Sequence, residues 1–217
     1  MAAGMRIRVV ALALVTSAPA LAQTSGVRHH DGFYAEIALG PSMIRDSFES
    51  GEGTVFFERT EGTVTGYGHS QHIAIGGSVA PGLVIAGAAA VDIARTTSAD
   101  SEGGAVNPDD DYAIITLGPM VDWWFDPDAG FHALLGFGFG ATSGVQPEGA
   151  DGGSASGLGV FAGIGHKWWI SDEWGLGALL RVNHVRGTES VVTIITDTYE
   201  IEHQALGFAL MFSATYH

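Results

Sequence analysis

The residues best placed to do chemistry are charged side chains set in otherwise apolar, Gly-rich stretches: Glu36, Asp92, Asp122, Lys167 and Arg181. Charges of both signs on such a background form ion pairs, because an unpaired charge in a confined interior is costly. Two arrangements follow, a salt-bridged plug or a gated polar path. His69, Ser70 and His72 invite a nucleophile–base reading, for which Ser and His must lie within hydrogen-bond reach and a third group must orient the ring. In a strand Ser70 and His72 share a face, but no flanking acid completes a triad, so no catalytic residue is assigned. Oxygen donors for a divalent cation are plentiful, in Asp109, Asp110 and Asp111 and in Glu49, Glu52, Glu58 and Glu61. Their spacing matches no calcium-loop pattern, and solvated acidic surface is the simpler account, so no metal site is assigned. The Gly-x-Gly pairs have no helix after them to complete a phosphate cradle. No cofactor is expected.

The elements that must position these residues are set by a period of two. In Phe33–Gly40 one parity reads Phe, Ala, Ile, Leu and the other Tyr, Glu, Ala, Gly. One fully apolar side on such a period is a strand that faces oil. The pattern recurs over 72–80, 83–94, 112–125, 131–140, 158–168, 176–183 and 206–216, which makes eight strands. Each is about as long as a tilted strand needs to cross a bilayer. The bulky side is consistently the apolar one, and the other is small or polar. A soluble sandwich would instead offer one polar face to water. The chain is therefore expected to be all-β, an eight-stranded antiparallel up-and-down transmembrane barrel over 31–217. The five charges named above then fall inside it, as a lumenal charge network in a barrel too narrow for an open aqueous channel.

Connections alternate in length. Ala80-Pro81-Gly82, Asp126 to Gly130 and Ser171 to Trp174 read as tight turns, while 45–66, 95–111, 142–156 and 186–202 read as long acidic loops. Short turns on one rim and long loops on the other are the habit of bacterial outer-membrane barrels, turns toward the periplasm. Trp123, Trp124, Trp168, Trp169 and Trp174 all flank two of those turns, and amphipathic rings prefer the membrane–water boundary, so they are expected as an interface girdle.

Residues 1–22 read as a cleaved signal peptide. Arg6 and Arg8 precede an apolar run that ends in Ala20-Leu21-Ala22, a small-x-small cleavage pattern. Residues 23–30 form a polar lead. The signal takes two of the nine basic residues and none of the 24 acidic ones, so the net charge of −15 becomes −17 in the exported part. Such a chain repels nucleic acid. With no Cys, it must draw its stability from a closed hydrogen-bonded sheet.

Asp31-Gly32-Phe33-Tyr34, the Gly-rich strands and Gly165-His166-Lys167-Trp168-Trp169-Ile170 through Gly177 resemble the small outer-membrane β-barrels typified by the OmpA transmembrane domain, OmpX and OmpW. The resemblance covers essentially the whole exported chain and specifies a fold and a membrane address, not a chemistry. It implies a monomeric multi-pass protein of the cell outer membrane, in contact with its lipids and lipopolysaccharide. It also implies delivery by the barrel-assembly machinery through the last strand, with Gly207, Leu210, Phe212 and Tyr216 as the signal. On function it leaves two classes open. One is a non-enzymatic envelope or surface barrel that displays acidic loops. The other is a narrow pore or an OmpW-like route for small molecules.

Overall fold

A computed structural model describes residues 32–50, 61–102, 111–126, 130–144, 154–192 and 198–217. The expected signal peptide and polar lead lie outside the described residues, as do Glu52, Glu58, Asp109 and Asp110. Eight strands follow in chain order: β1 (Phe33–Ser50), β2 (Glu61–Ala80), β3 (Leu83–Glu102), β4 (Asp111–Trp124), β5 (Phe131–Ser143), β6 (Ser154–Trp169), β7 (Trp174–Val192) and β8 (Thr198–Tyr216). Each pairs antiparallel with its neighbours in sequence, and β1 pairs with β8, so the sheet closes into an up-and-down barrel. Closure satisfies the backbone without leaving an edge, which a lipid environment requires.

The two parities take the two sides. Phe33, Ile37, Leu39, Ile75, Leu135, Phe137, Leu158 and Phe212 are exposed on the outer wall. Tyr34, Glu36, Ala38, Asp122, Phe161 and Leu179 are buried inside. The inner face is crowded enough to dictate glycine. A Cβ on Gly136 would stand 2.1 Å from the Phe161 ring, and one on Gly118 would stand 2.0 Å from the Phe137 carbonyl oxygen of β5. Gly118-Pro119 in β4 and Gly40-Pro41 in β1 interrupt their ladders with β5 and β8, because proline has no N–H to give.

Strand length departs from expectation. The stretches read as long loops are paired strand at their described ends: β1 runs on to Ser50, β2 starts at Glu61, β3 reaches Glu102, and β7 and β8 reach Val192 and Thr198. Beyond the apolar belt the alternation continues with its sense reversed. Arg45 and Glu49 face out while Ile44, Asp46 and Phe48 are buried inside. A wall that leaves the lipid needs a polar outer face, as a strand in water does. The signal was present in 44–49, masked by its polar half.

Candidate functional site

The lumen is built in layers. Nearest the turns, Glu36 and Lys167 form an ion pair at 3.0 Å. The Lys167 ammonium also donates to Thr215 and stands 5.3 Å from the Trp124 ring and 5.7 Å from that of Tyr34. The Tyr34 hydroxyl reaches both Glu36 and Asp122, the latter at 3.0 Å, and Asp122 meets His132 Nδ1 at 2.7 Å. Trp124 stacks on His132 at 4.9 Å and meets His217 edge-on at 5.3 Å.

Above this cluster lies an apolar layer that includes Met120, Leu134, Phe161, Leu179 and Met211. His72 points into it, its ring 5.5 Å from that of Phe161, with no hydrogen bond to either nitrogen. A second polar cluster follows. Arg181 Nη2 donates to Asp92 at 2.8 Å and to Ser70 at 2.7 Å, while Nη1 donates to the Gln71 carbonyl at 3.0 Å. Asn183 donates to Asp92 at 2.9 Å and accepts from Thr116 at 2.7 Å. Ile44, Ile114 and Val185 close over it as part of a second apolar layer. At the loop side Asp46 meets His203 Nδ1 at 2.8 Å, and Glu189 lies 3.5 Å from the other ring nitrogen.

The five expected lumenal charges thus all lie inside the barrel, but as two clusters separated by apolar side chains. Glu36, Asp122 and Lys167 share the lower one, and Asp92 and Arg181 the upper. Tyr34, Thr116, His132, Asn183 and Thr215 complete these clusters and carry the same inward parity, so the pattern that placed the charges also placed their partners. Asp46 and Glu189 escaped because they fall in stretches read as loop, and His203 because it lies between the loop read to 202 and the strand read from 206.

One expectation needs correction. Trp123, Trp168 and Trp174 are exposed on the outer wall, but Trp124 is 1% exposed inside the barrel and Trp169 is half-buried with its ring 5.3 Å from that of His217. Adjacent residues of a strand point to opposite sides, so only one of each Trp-Trp pair can face lipid. Ser70 and His72 do share the inner face, but Ser70 is engaged by Arg181 and donates to the Val91 carbonyl at 3.2 Å, leaving no nucleophile–base contact. His69 faces outward. Among the described residues no group of three or more His, Cys, Asp or Glu could hold a metal ion.

His203 lies beyond the apolar belt, between the outward Glu202 and Gln204. Burial opposes its charged form, but the hydrogen bond and charge of Asp46, with Glu189 behind, outweigh burial and raise its pKa above the ordinary value. A raised folded-state pKa contributes stability that is complete below the unfolded value and is lost as pH rises through the folded one. The folded barrel is therefore expected to unfold at lower denaturant at about pH 9 than at about pH 6, and His203→Gln is expected to flatten that difference. Urea titrations at the two pH values check it; an equal slope in the variant removes His203 as the cause.

No protein-family model and no curated protein matches the chain. Solved structures do. The outer membrane protein OprG from Pseudomonas aeruginosa is 11% identical, covers 88% of this chain and 100% of its own, and has a TM-score of 0.59. The outer membrane protein AlkL, solved in lipid bilayers, is 14% identical over 92% of this chain and 96% of its own, with a TM-score of 0.50. At such identities the likeness concerns the fold. The closed eight-stranded ring, its apolar outer wall and these matches together give this chain the fold of the small outer-membrane β-barrels that its sequence resembles.

Proposed function

We propose that the chain is a non-enzymatic integral outer-membrane barrel whose interior is plugged by charge pairs and whose loop-side rim is displayed outside the cell, serving envelope structure or surface interaction. The observation that carries this reading is the alternation of buried ion pairs and apolar side chains along the lumen. Two ion-paired clusters alternate with apolar layers from Trp124 at the turn side to His203 at the loop side. A conducting path needs a polar lining along its length, and the apolar side chains of Ile44, Ile114 and Val185 interrupt one. Ser70 hydrogen-bonded to Arg181 favours a structural role for the Ser70–His72 juxtaposition. Transport of small molecules, the other class open from sequence, requires a continuous passage.

Planar-bilayer recording tests the proposal. The wild-type chain and Arg181→Ala are both expected to insert without conductance steps. Discrete, ion-selective steps from the wild type would overturn the plugged reading and favour the pore.

A further inference from the structure

The outer wall is acidic in net charge, yet its cations are not scattered. Among the described residues five carry a positive charge apart from histidine: Lys167 and Arg181 face the lumen, and Arg45, Arg95 and Arg186 face outward. These three stand at one height. From Phe33 to Arg45 on β1, from Leu83 to Arg95 on β3 and from Trp174 to Arg186 on β7 the run is the same twelve residues, each starting at the turn-side rim. Tyr216 touches both Phe33 and Trp174, with ring centroids 6.1 and 5.3 Å apart, so two of those starting points share a level. Equal runs on equally tilted strands end at equal heights. A twelve-residue run spans about 40 Å along the strand and about 30 Å along the barrel axis, the thickness of a hydrocarbon core. On β1 and β3 the arginine is the first polar outward residue after the apolar belt, following Met43 and Ile93, and on β7 only His184 precedes it.

We infer that Arg45, Arg95 and Arg186 form a belt that binds the phosphate groups of a phosphorylated glycolipid in the loop-side leaflet. The guanidinium fork matches phosphate oxygens in pairs, and its position at the belt edge is the height of a headgroup. The opposite rim differs in chemistry: Asp126, Asp172 and Glu173 are exposed beside its outward Trp residues. Among the described residues the outward arginines stand on one rim only, as suits a bilayer whose phosphorylated glycolipid is confined to one leaflet. Local pairs do not consume the belt. Arg95 lies 3.8 Å from Asp111 and Arg186 3.1 Å from Glu202, all well exposed, and such surface pairs hold weakly. Arg45 stands between Thr65 and Leu206 of the neighbouring strands and makes no ion pair among the described residues.

The inference rests on the loop side facing outward, as proposed above. Ser98→Cys tests that separately: labelling by a membrane-impermeant maleimide in intact cells supports it, and protection overturns both readings. The binding test uses the full exported chain folded in phosphatidylcholine nanodiscs that carry bisphosphorylated lipid A, its dephosphorylated form or phosphatidylglycerol. Co-retained lipid is counted by native mass spectrometry. The wild type is expected to retain the bisphosphorylated lipid about a hundredfold better than the dephosphorylated one, and R45Q/R95Q/R186Q is expected to lose that preference. Should the triple variant fail to fold, Arg45→Gln alone is expected to lower retention several-fold. Equal retention by wild type and folded variant, or phosphatidylglycerol held as well as lipid A, overturns the inference whatever the barrel's conductance.

Discussion

Arg181→Ala is expected to cost the folded barrel about 3–5 kcal/mol, among the largest losses a single substitution can produce in this lumen. The guanidinium donates to Asp92, Ser70 and the carbonyls of Gln71 and, at 3.5 Å, Val91, and the residue is 1% exposed. Truncation leaves Asp92, itself fully buried, with Asn183 as its remaining partner. The cost is that of a carboxylate stranded away from water, and it exceeds the net contribution of the intact pair. Replacing both ends should therefore recover most of the loss. Arg181→Met combined with Asp92→Asn removes the charge as well as its partner and keeps the volume. Urea unfolding of the vesicle-inserted barrel, followed by its heat-modifiable gel band, measures all three proteins. A single variant within about 1 kcal/mol of wild type, or a double variant no better than the single, would show that the pair does not hold the lumen together.

Lys167→Met is expected to be comparably damaging, for a reason of proton counting. The turn-side cluster holds two carboxylates, Glu36 and Asp122, and a single Tyr34 hydroxyl lies within reach of both. One hydroxyl has one proton to donate. Asp122 has His132 as a second partner at 2.7 Å, but Glu36 depends on Lys167 for its counter-charge. With the ammonium gone, Glu36 and Asp122 compete for Tyr34 while both lie fully shielded from water, and the loss should again be about 3–5 kcal/mol. The cation also sits above the Trp124 and Tyr34 rings, a smaller contribution. Adding Glu36→Gln to Lys167→Met should restore stability, since a neutral amide can use the Tyr34 hydroxyl without a counter-charge. If Lys167→Met unfolds at the wild-type urea concentration, Glu36 has another partner and this account of the cluster fails.

These two expectations differ in how far sequence alone could reach them. That Arg181 and Lys167 point inward is a matter of parity, readable from Leu176–Asn183 and Leu158–Trp168. That Arg181 meets Asp92 across the lumen, while Lys167 meets Glu36, could not be read. Both acids share one parity with both cations, and which pair approaches depends on the tilt and stagger of strands far apart in sequence. The same geometry inserts Phe161, Leu134 and Leu179 between the clusters, so five charges that the pattern grouped as one network become two. Trp124 shows the converse. A rule about residue type placed it with the lipid-facing rings, and the simpler rule of alternation, applied to Trp123-Trp124, would have placed it inside.

The sequence by itself determined the barrel, the side each residue takes and the turn-side rim, because a two-residue period facing lipid on one parity admits a closed antiparallel sheet and little else. Only the tertiary structure decided the pairing of the lumenal charges, the strand extensions beyond the membrane and the common height of Arg45, Arg95 and Arg186. Each of these depends on register between strands, which alternation along a single strand leaves unspecified.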